Sequence, residues 1–297
     1  MITDAQLAEA AARITGRVRR TPVLPVAPGL WFKLEFLQHT GTFKARGMLN
    51  RILAAGPSAR AGVVIASGGN AGLAAAWAAR SAGVPIEVFV PENAPLVKVA
   101  KLRSLGASVI QAGQEYAEAY DAAQKRVAET GAVSCHAYDQ PEVVAGAGTL
   151  GLELLEQVQD PATIVVAVGG GGLMAGVAAA TFGKGTTVVG VEPENAPTLH
   201  AALAAGEPVD VAVSGVAADS LGARRLGDIA FDVATRTGVR SVLVSDDDIV
   251  AARRELWDKF RILVEHGAAA AYAGCRPAEG ERTVIVLCGA NTDPATV

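Results

Sequence analysis

The chain has 297 residues, 51% of them hydrophobic, with a mean hydropathy of +0.31. Its 26 basic residues against 30 acidic ones leave a net charge of −4 and a pI near 5.7. That length buries the core of one large domain or two smaller ones. The charge balance offers no electrostatic footprint for nucleic acid or for an anionic membrane surface.

The N-terminal stretch MITDAQLAEAAARI has acidic residues early and no apolar secretion core. Thr3 followed by Gln6 is a capping-box pattern and predicts a short amphipathic helix. Next comes QHTGTFKARGMLN, residues 38–50, which sets Lys44 behind Phe43 and a Gly-Thr turn at a predicted helix start. From residue 62 onward, Val- and Ile-rich runs alternate with Ala-rich segments. Strands are predicted at 62–67, 85–91, 107–113, 162–169, 186–192, 240–245 and 282–289. Helices are predicted at 71–83, 94–106, 115–131, 141–158 and 247–260. Strands that are apolar throughout suit a parallel sheet covered on both faces. The βαβ rhythm predicts an open, doubly wound α/β architecture, in which ligands bind where strand C-termini meet helix N-termini. The longest strongly apolar run, Pro161 to Val168, is far too short to span a bilayer. Cys135, Cys275 and Cys288 are widely separated and lack metal-ligand spacing, as expected of reduced thiols in a cytoplasmic protein. The four histidines form no metal-binding pattern.

Four loops carry the chemistry. VGGGGLMAG follows a predicted strand and opens a helix, and Gly169, Gly170, Gly171 and Gly172 leave only backbone amides to close around an anion such as a phosphate. The alternatives are a dinucleotide-binding turn or a plain tight turn. ASGGNAG places Ser67 and Asn70 at another helix N-terminus, suited to a carboxylate or a phenolate-like oxygen, or else simply capping the helix. VLCGANTD ends the last strand with Cys288, which alone reads as a core residue. An isolated lysine is usually a solvated charge, so chemistry at Lys44 requires an amine stripped of water by neighbours such as Phe43 and Met48.

Taken together and in this order, KLEFLQHTGTFKARG, SGGNAG, VGGGGLMAGV, GVEPENA and LCGAN resemble the fold-type II enzymes that use pyridoxal 5′-phosphate (PLP). The similarity is to their serine/threonine dehydratase (ammonia-lyase) branch and covers nearly the whole chain. It implies two lobes of doubly wound, mostly parallel sheets, as in the tryptophan synthase β chain, with residues 1–59 and 139–297 forming the PLP-binding domain and 60–138 a small mobile domain. It implies that Lys44 carries PLP covalently and, once freed, abstracts the Cα proton. Phe43 would pack on the pyridine ring, Gly169 to Gly172 hold the phosphate, and Asn70 bond the phenolic oxygen. Ser67, the amide of Ala71 and Thr42 would grip the substrate carboxylate, and Cys288 would face the pyridine nitrogen. The implied reaction is β-elimination on L-serine or L-threonine, giving a 2-oxo acid and ammonia. Another β-hydroxy amino acid such as a hydroxyaspartate, or racemisation, is the alternative.

Departures from the family pattern refine this. Gly68 stands where serine racemases carry a proton-delivering serine, and Ala71 where many bacterial threonine dehydratases have histidine, which brings the chain nearer to animal serine dehydratases. Glu192, Ala196 and Thr198 offer oxygens for a monovalent ion such as potassium, or a helix-capping loop. VEHGAAAAYA is similar to a family segment that would bring Glu265 to the cofactor pocket, with His266 and Gly267 replacing the usual Pro-Ser. Arg46 reads as an early helix charge, and Trp31 and Trp77 as packing residues. The chain ends soon after LCGANTD, so no regulatory domain and no isoleucine inhibition are expected. A homodimer is expected, with no nucleic-acid or membrane partner. A catalytically silent binding protein, or an NAD-linked oxidoreductase on a doubly wound sheet, are the readings from other classes.

Overall fold

The computed structural model describes residues 1–275, 277 and 280–296. Helix α1 (Asp4–Ile14) begins as the sequence predicts, with Thr3 Oγ1 accepting from the Gln6 amide and Gln6 Oε1 accepting from the Thr3 amide. An antiparallel pair, β1 (Val23–Ala27) and β2 (Leu30–Lys33), follows. The sequence pattern does not announce it: VLPVA and LWFK are short and free of polar–apolar alternation, a proline interrupts the first, and a lysine, here buried, ends the second. Helix α2 (Lys44–Ala54) then leads into the alternating region.

That region holds β3 (Val63–Ala66), α3 (Asn70–Ala82), β4 (Ile86–Val90), α4 (Leu96–Ser104), β5 (Ser108–Gln111), α5 (Tyr116–Thr130) and β6 (Val133–Ser134). It continues through α6 (Pro141–Gln157), β7 (Thr163–Ala167), α7 (Gly172–Thr181), β8 (Thr187–Pro193), α8 (Thr198–Ala205) and α9 (Asp228–Thr237). The chain closes with β9 (Arg240–Val244), α10 (Asp246–Phe260), α11 (His266–Ala273) and β10 (Thr283–Val286). Every predicted strand and helix is present.

Two sheets result. One has the order β1-β2-β10-β7-β8-β9 and is parallel except at β1; the other, β5-β4-β3-β6, is parallel throughout. This is the doubly wound α/β class. The six-stranded sheet has its own core, to which the Ala-rich α7 and α11 contribute almost every residue. The four-stranded sheet is covered on one side by α5 and on the other by α3. Met48, Leu49 and Ile52 of α2 belong to this second core, so Met48 is packing material and not a screen over the Lys44 amine. Trp77 of α3 stacks on His39, just before the Lys44 loop, at 4.3 Å and 15°. Among the described residues no helix is long and apolar enough to cross a membrane.

Candidate active site

The Lys44 loop is stitched to the end of β10. Phe36 N donates to Leu287 O at 2.8 Å, Phe43 N to Cys288 O at 3.0 Å and Ala290 N to Gly41 O at 2.9 Å. Thr40 sits at φ 59°, costly for a β-branched residue, and Asn291 holds it there by donating from Nδ2 to Thr40 O at 2.8 Å. The chain reverses at this point and delivers Lys44 to the first position of α2. Its Nζ donates to Ala137 O at 3.1 Å and lies 4.8 Å from the Phe43 ring centroid. Among the described residues no carboxylate pairs with it. Burial brings the amine from 10.5 down to about 8, against a smaller upward pull from Cys288 and Glu265.

The amine lines a small cavity that also has the tetraglycine turn, Gly169 to Gly172, in its wall. Helix α7 starts there without a side-chain cap, and Gly171 adopts φ 85°. A β-carbon at Gly171 would approach Leu226 Cδ1 to 2.7 Å, and one at Gly170 would run into the Tyr138 ring. Only bare backbone fits between those neighbours, which leaves the first amides of α7 free for an anion.

A second uncapped helix N-terminus, that of α3, borders the cavity. Gly72 must be glycine because a β-carbon would strike the Ser67 carbonyl oxygen. Asn70 lines the cavity, its Nδ2 donating to both oxygens of Glu265 at 2.9 and 3.0 Å, and its Oδ1 accepting from Asn291 at 2.7 Å. Glu265 is a buried wall residue at the start of α11, not a solvent-facing helix-end carboxylate, and burial raises its pKa. Cys288 is also a wall residue, and burial pushes its thiol far above the usual range, so it stays neutral. Towards solvent the cavity widens into a mouth lined by Gly68, Gly69, Lys98 and Asp219. Lys98 pairs with Asp219 there, and Lys101 donates to Asn291 Oδ1 at 2.7 Å.

Lys44, Phe43, Asn70, Gly169 to Gly172, Cys288 and Glu265 are therefore brought together. Ser67 and Ala71 flank them at the α3 N-terminus, where Ser67 Oγ accepts from Gly69 N at 3.3 Å. Thr42 is fully buried and bridged to Gly289, its Oγ1 has no hydrogen-bond partner among the described residues, and like Ser67 and Ala71 it is not among the residues that line the cavity or its mouth. Arg46 needs correction, because it is only 2% exposed and ion-paired with Glu35 and Glu153. Glu192, Ala196 and Thr198 do meet, but Glu192 accepts from Thr198 Oγ1 (3.0 Å), Leu199 N (2.6 Å) and His200 N (2.9 Å). Both carboxylate oxygens are occupied in capping α8, which is the helix-capping arrangement. Tyr138, Ser220 and Leu221 also line the cavity, and sequence reasoning misses them because each sits in a connection with no periodic pattern.

A neutral-leaning amine, an aromatic ring beside it and a side-chain-free anion cradle in the same cavity fit an aldehyde that carries a phosphate. The family model for pyridoxal-phosphate dependent enzymes matches residues 14–289. This chain belongs to that family. PLP is therefore its cofactor. The chain is 36% identical to the L-threonine ammonia-lyase of Thermotoga maritima, covering 99% of this chain and 76% of that protein. It is 39% identical to the phenylserine dehydratase of Ralstonia pickettii, over 96% of this chain and 92% of the other. Among solved structures, maize serine racemase superposes with a TM-score of 0.92 at 32% identity, covering 100% of this chain and 96% of that one.

Proposed function

We propose that the chain is an ammonia-lyase acting on L-serine or L-threonine, eliminating the β-hydroxyl so that hydrolysis yields a 2-oxo acid and ammonia. The observation that carries the reading is the Lys44 amine, lowered to about 8 and sharing one cavity with the tetraglycine turn. An amine titrating there is a competent base near neutral pH. When bound, PLP supplies the electron withdrawal that acidifies Cα. The amides of Gly169 to Gly172 would hold the phosphate, Phe43 would pack on the ring, Asn70 would hold the ring oxygen, and Cys288 would stay neutral near the ring nitrogen. The α3 amides with Ser67 hold the substrate carboxylate. Lys44 takes the Cα proton, and Phe43, Leu173 and Leu221 in the walls limit the access of water to it.

The relatives named for threonine and phenylserine support a β-hydroxy substrate and leave the β-substituent open. The test is release of 2-oxo acid from L-serine, L-threonine, threo-3-hydroxyaspartate and threo-3-phenylserine, with Lys44→Ala as control. Purified protein should be yellow, with borohydride fixing the cofactor on Lys44. A colourless protein, or Lys44→Ala with undiminished turnover, defeats the reading. Racemisation is the second reading, motivated by the maize structure, and Gly68 speaks against it because it offers no proton donor. Residues 60–138 are the lobe we expect to move over the substrate, with Lys98 and Asp219 meeting across the mouth. The buried thiols of Cys135 and Cys288 accord with a reducing cytoplasm, and a homodimer is the assembly we expect.

A further inference from the structure

Helix α2 has divided loyalties. Its apolar residues Met48, Leu49 and Ile52 are built into the core of the four-stranded sheet. The walls its Lys44 must face, Cys288, Gly169 to Gly172 and Glu265, come from connections of the six-stranded sheet. A helix packed on one sheet and working on the other needs a fixed register between them.

Arg46, two residues beyond Lys44, supplies one. Its Nε donates to Glu35 Oε1 at 2.6 Å and its Nη2 to Glu35 Oε2 at 3.0 Å, a two-point fork. The same Nη2 reaches Glu153 Oε2 on α6 at 3.0 Å, and Nη1 donates to Thr149 Oγ1 at 3.4 Å. Glu35, just after β2, also accepts from Thr21 Oγ1 at 2.6 Å. Glu153 also pairs with Lys33, the last residue of β2, whose Nζ donates further to Thr21 O at 2.8 Å and Gln157 Oε1 at 2.7 Å. Two cations and two carboxylates thus form an interior, formally neutral cluster that ties α2 to β2 and α6. Burying such a cluster is poor evidence for net stability, because desolvation offsets the attraction. A planar fork held at both prongs does fix direction, which a lysine ammonium cannot imitate.

We propose that Arg46 is a positioning residue for Lys44: its clasp on Glu35 and Glu153 sets the rotation and height of α2, so that the Lys44 amine points into the cavity. The inference rests on Lys44 being the cofactor-bearing amine. The cluster's neutrality means that it acts through geometry and not by changing the charge around the amine. A contribution to folding alone is the rival account, since α2 also touches α6 closely at Gly47 and Gly146.

The test uses Arg46→Lys, which keeps the charge and loses the fork, and Glu153→Gln, which weakens one prong. Acetic anhydride labelling of apoprotein across pH, read by mass spectrometry, gives the titration midpoint of Lys44 with the other lysines as internal standards. Holoenzyme turnover is measured alongside. In Arg46→Lys the Lys44 midpoint should rise from about 8 towards 10.5 as the amine swings to water, and kcat should fall roughly 10- to 100-fold with KM changed far less. Glu153→Gln should move both in the same direction by less. If either variant loses melting temperature while its Lys44 midpoint and kcat per bound PLP match wild type, Arg46 is structural and the proposal is overturned. Should Arg46→Lys not fold, Glu153→Gln decides by the same readouts. Failure of wild-type Lys44 to be fixed to PLP by borohydride would overturn the reading underneath instead, and is seen separately.

Discussion

Replacing Lys44 by methionine in the cofactor-free protein tests the physical premise of the site. In the fold the amine holds its proton only to about 8, whereas 10.5 is the ordinary value. At about 1.4 kcal/mol per pH unit, that difference is worth roughly 3 kcal/mol of penalty for folding with the amine charged. Lys44 is only part-buried, so solvent screening lowers the expectation to about 1 to 3 kcal/mol. The sign follows from proton counting. Below pH 8 the amine is charged in both states and the full penalty applies. Between 8 and 10.5 the unfolded chain binds more protons than the fold, so folding stability rises with pH until the penalty is gone. Methionine has no such term. Lys44→Met apoprotein should therefore be more stable than wild type by about 1 to 3 kcal/mol at pH 7, with the gap closing as pH rises towards 10.5. Cys135, whose thiol burial pushes up, tilts stability the other way in alkali equally in both proteins, whereas Cys288 interacts with the amine, so the difference is read below the range in which that strongly raised thiol ionises. Urea denaturation of both apoproteins at several pH values from 7 to 10 measures it. A gap that does not change with pH would mean that the amine is solvated, and the proposed base would lose its support.

Two further substitutions probe the glycines. Gly171→Ala forces a side chain into φ 85° and against Leu226 and Ala230, so about 1 to 3 kcal/mol of stability and at least tenfold in PLP affinity should be lost, by denaturation and by cofactor titration. Unchanged PLP affinity would show that the turn does not hold the phosphate. Gly68→Ser is sterically permitted, because a β-carbon there meets only Val90 Cγ1, at 3.5 Å. It should introduce measurable D-serine formation from L-serine on a chiral column, and its absence would mean that something other than the missing hydroxyl restrains racemisation.

What can be read from the sequence divides by cause. The parallel strands are legible because fully buried strands such as VVIA of β3 are apolar at every position. The glycine turns are legible because their chemistry resides in the backbone, which glycine runs expose. The β1–β2 hairpin escapes because its strands are short, with Pro25 breaking the first and a buried lysine, Lys33, ending the second. Arg46 is misjudged because its partners, Glu35 and Glu153, lie 11 and 107 residues away, and a charge is read as solvated unless its partner is in view. Tyr138, Ser220 and Leu221 have no signal of period or spacing; only tertiary placement brings them to the cavity.

The contrast between two lysines explains why burial alone does not identify a reactive amine. Lys33 is entirely buried, yet it has Glu153, Gln157 Oε1 and Thr21 O around its ammonium. Among the described residues, Lys44 has only the Ala137 carbonyl as a hydrogen-bond partner for its amine. The chain collects its interior charges behind α2 and leaves the cavity side with a neutral thiol and a carboxylate that burial drives towards protonation. Cys288→Asp should undo that separation. A carboxylate at the end of β10, where the wild-type side chain already influences the amine, would favour protonated Lys44 and move its labelling midpoint in apoprotein upward from about 8 by roughly one to three pH units. Turnover at pH 7 should fall as the base fraction falls, and partial recovery should follow at higher pH. If the introduced carboxyl were instead itself protonated, the midpoint would stay near that of wild type and activity would not recover in alkali. That result would show that the amine is governed by lack of water alone, and that a neutral residue at position 288 is incidental to the chemistry.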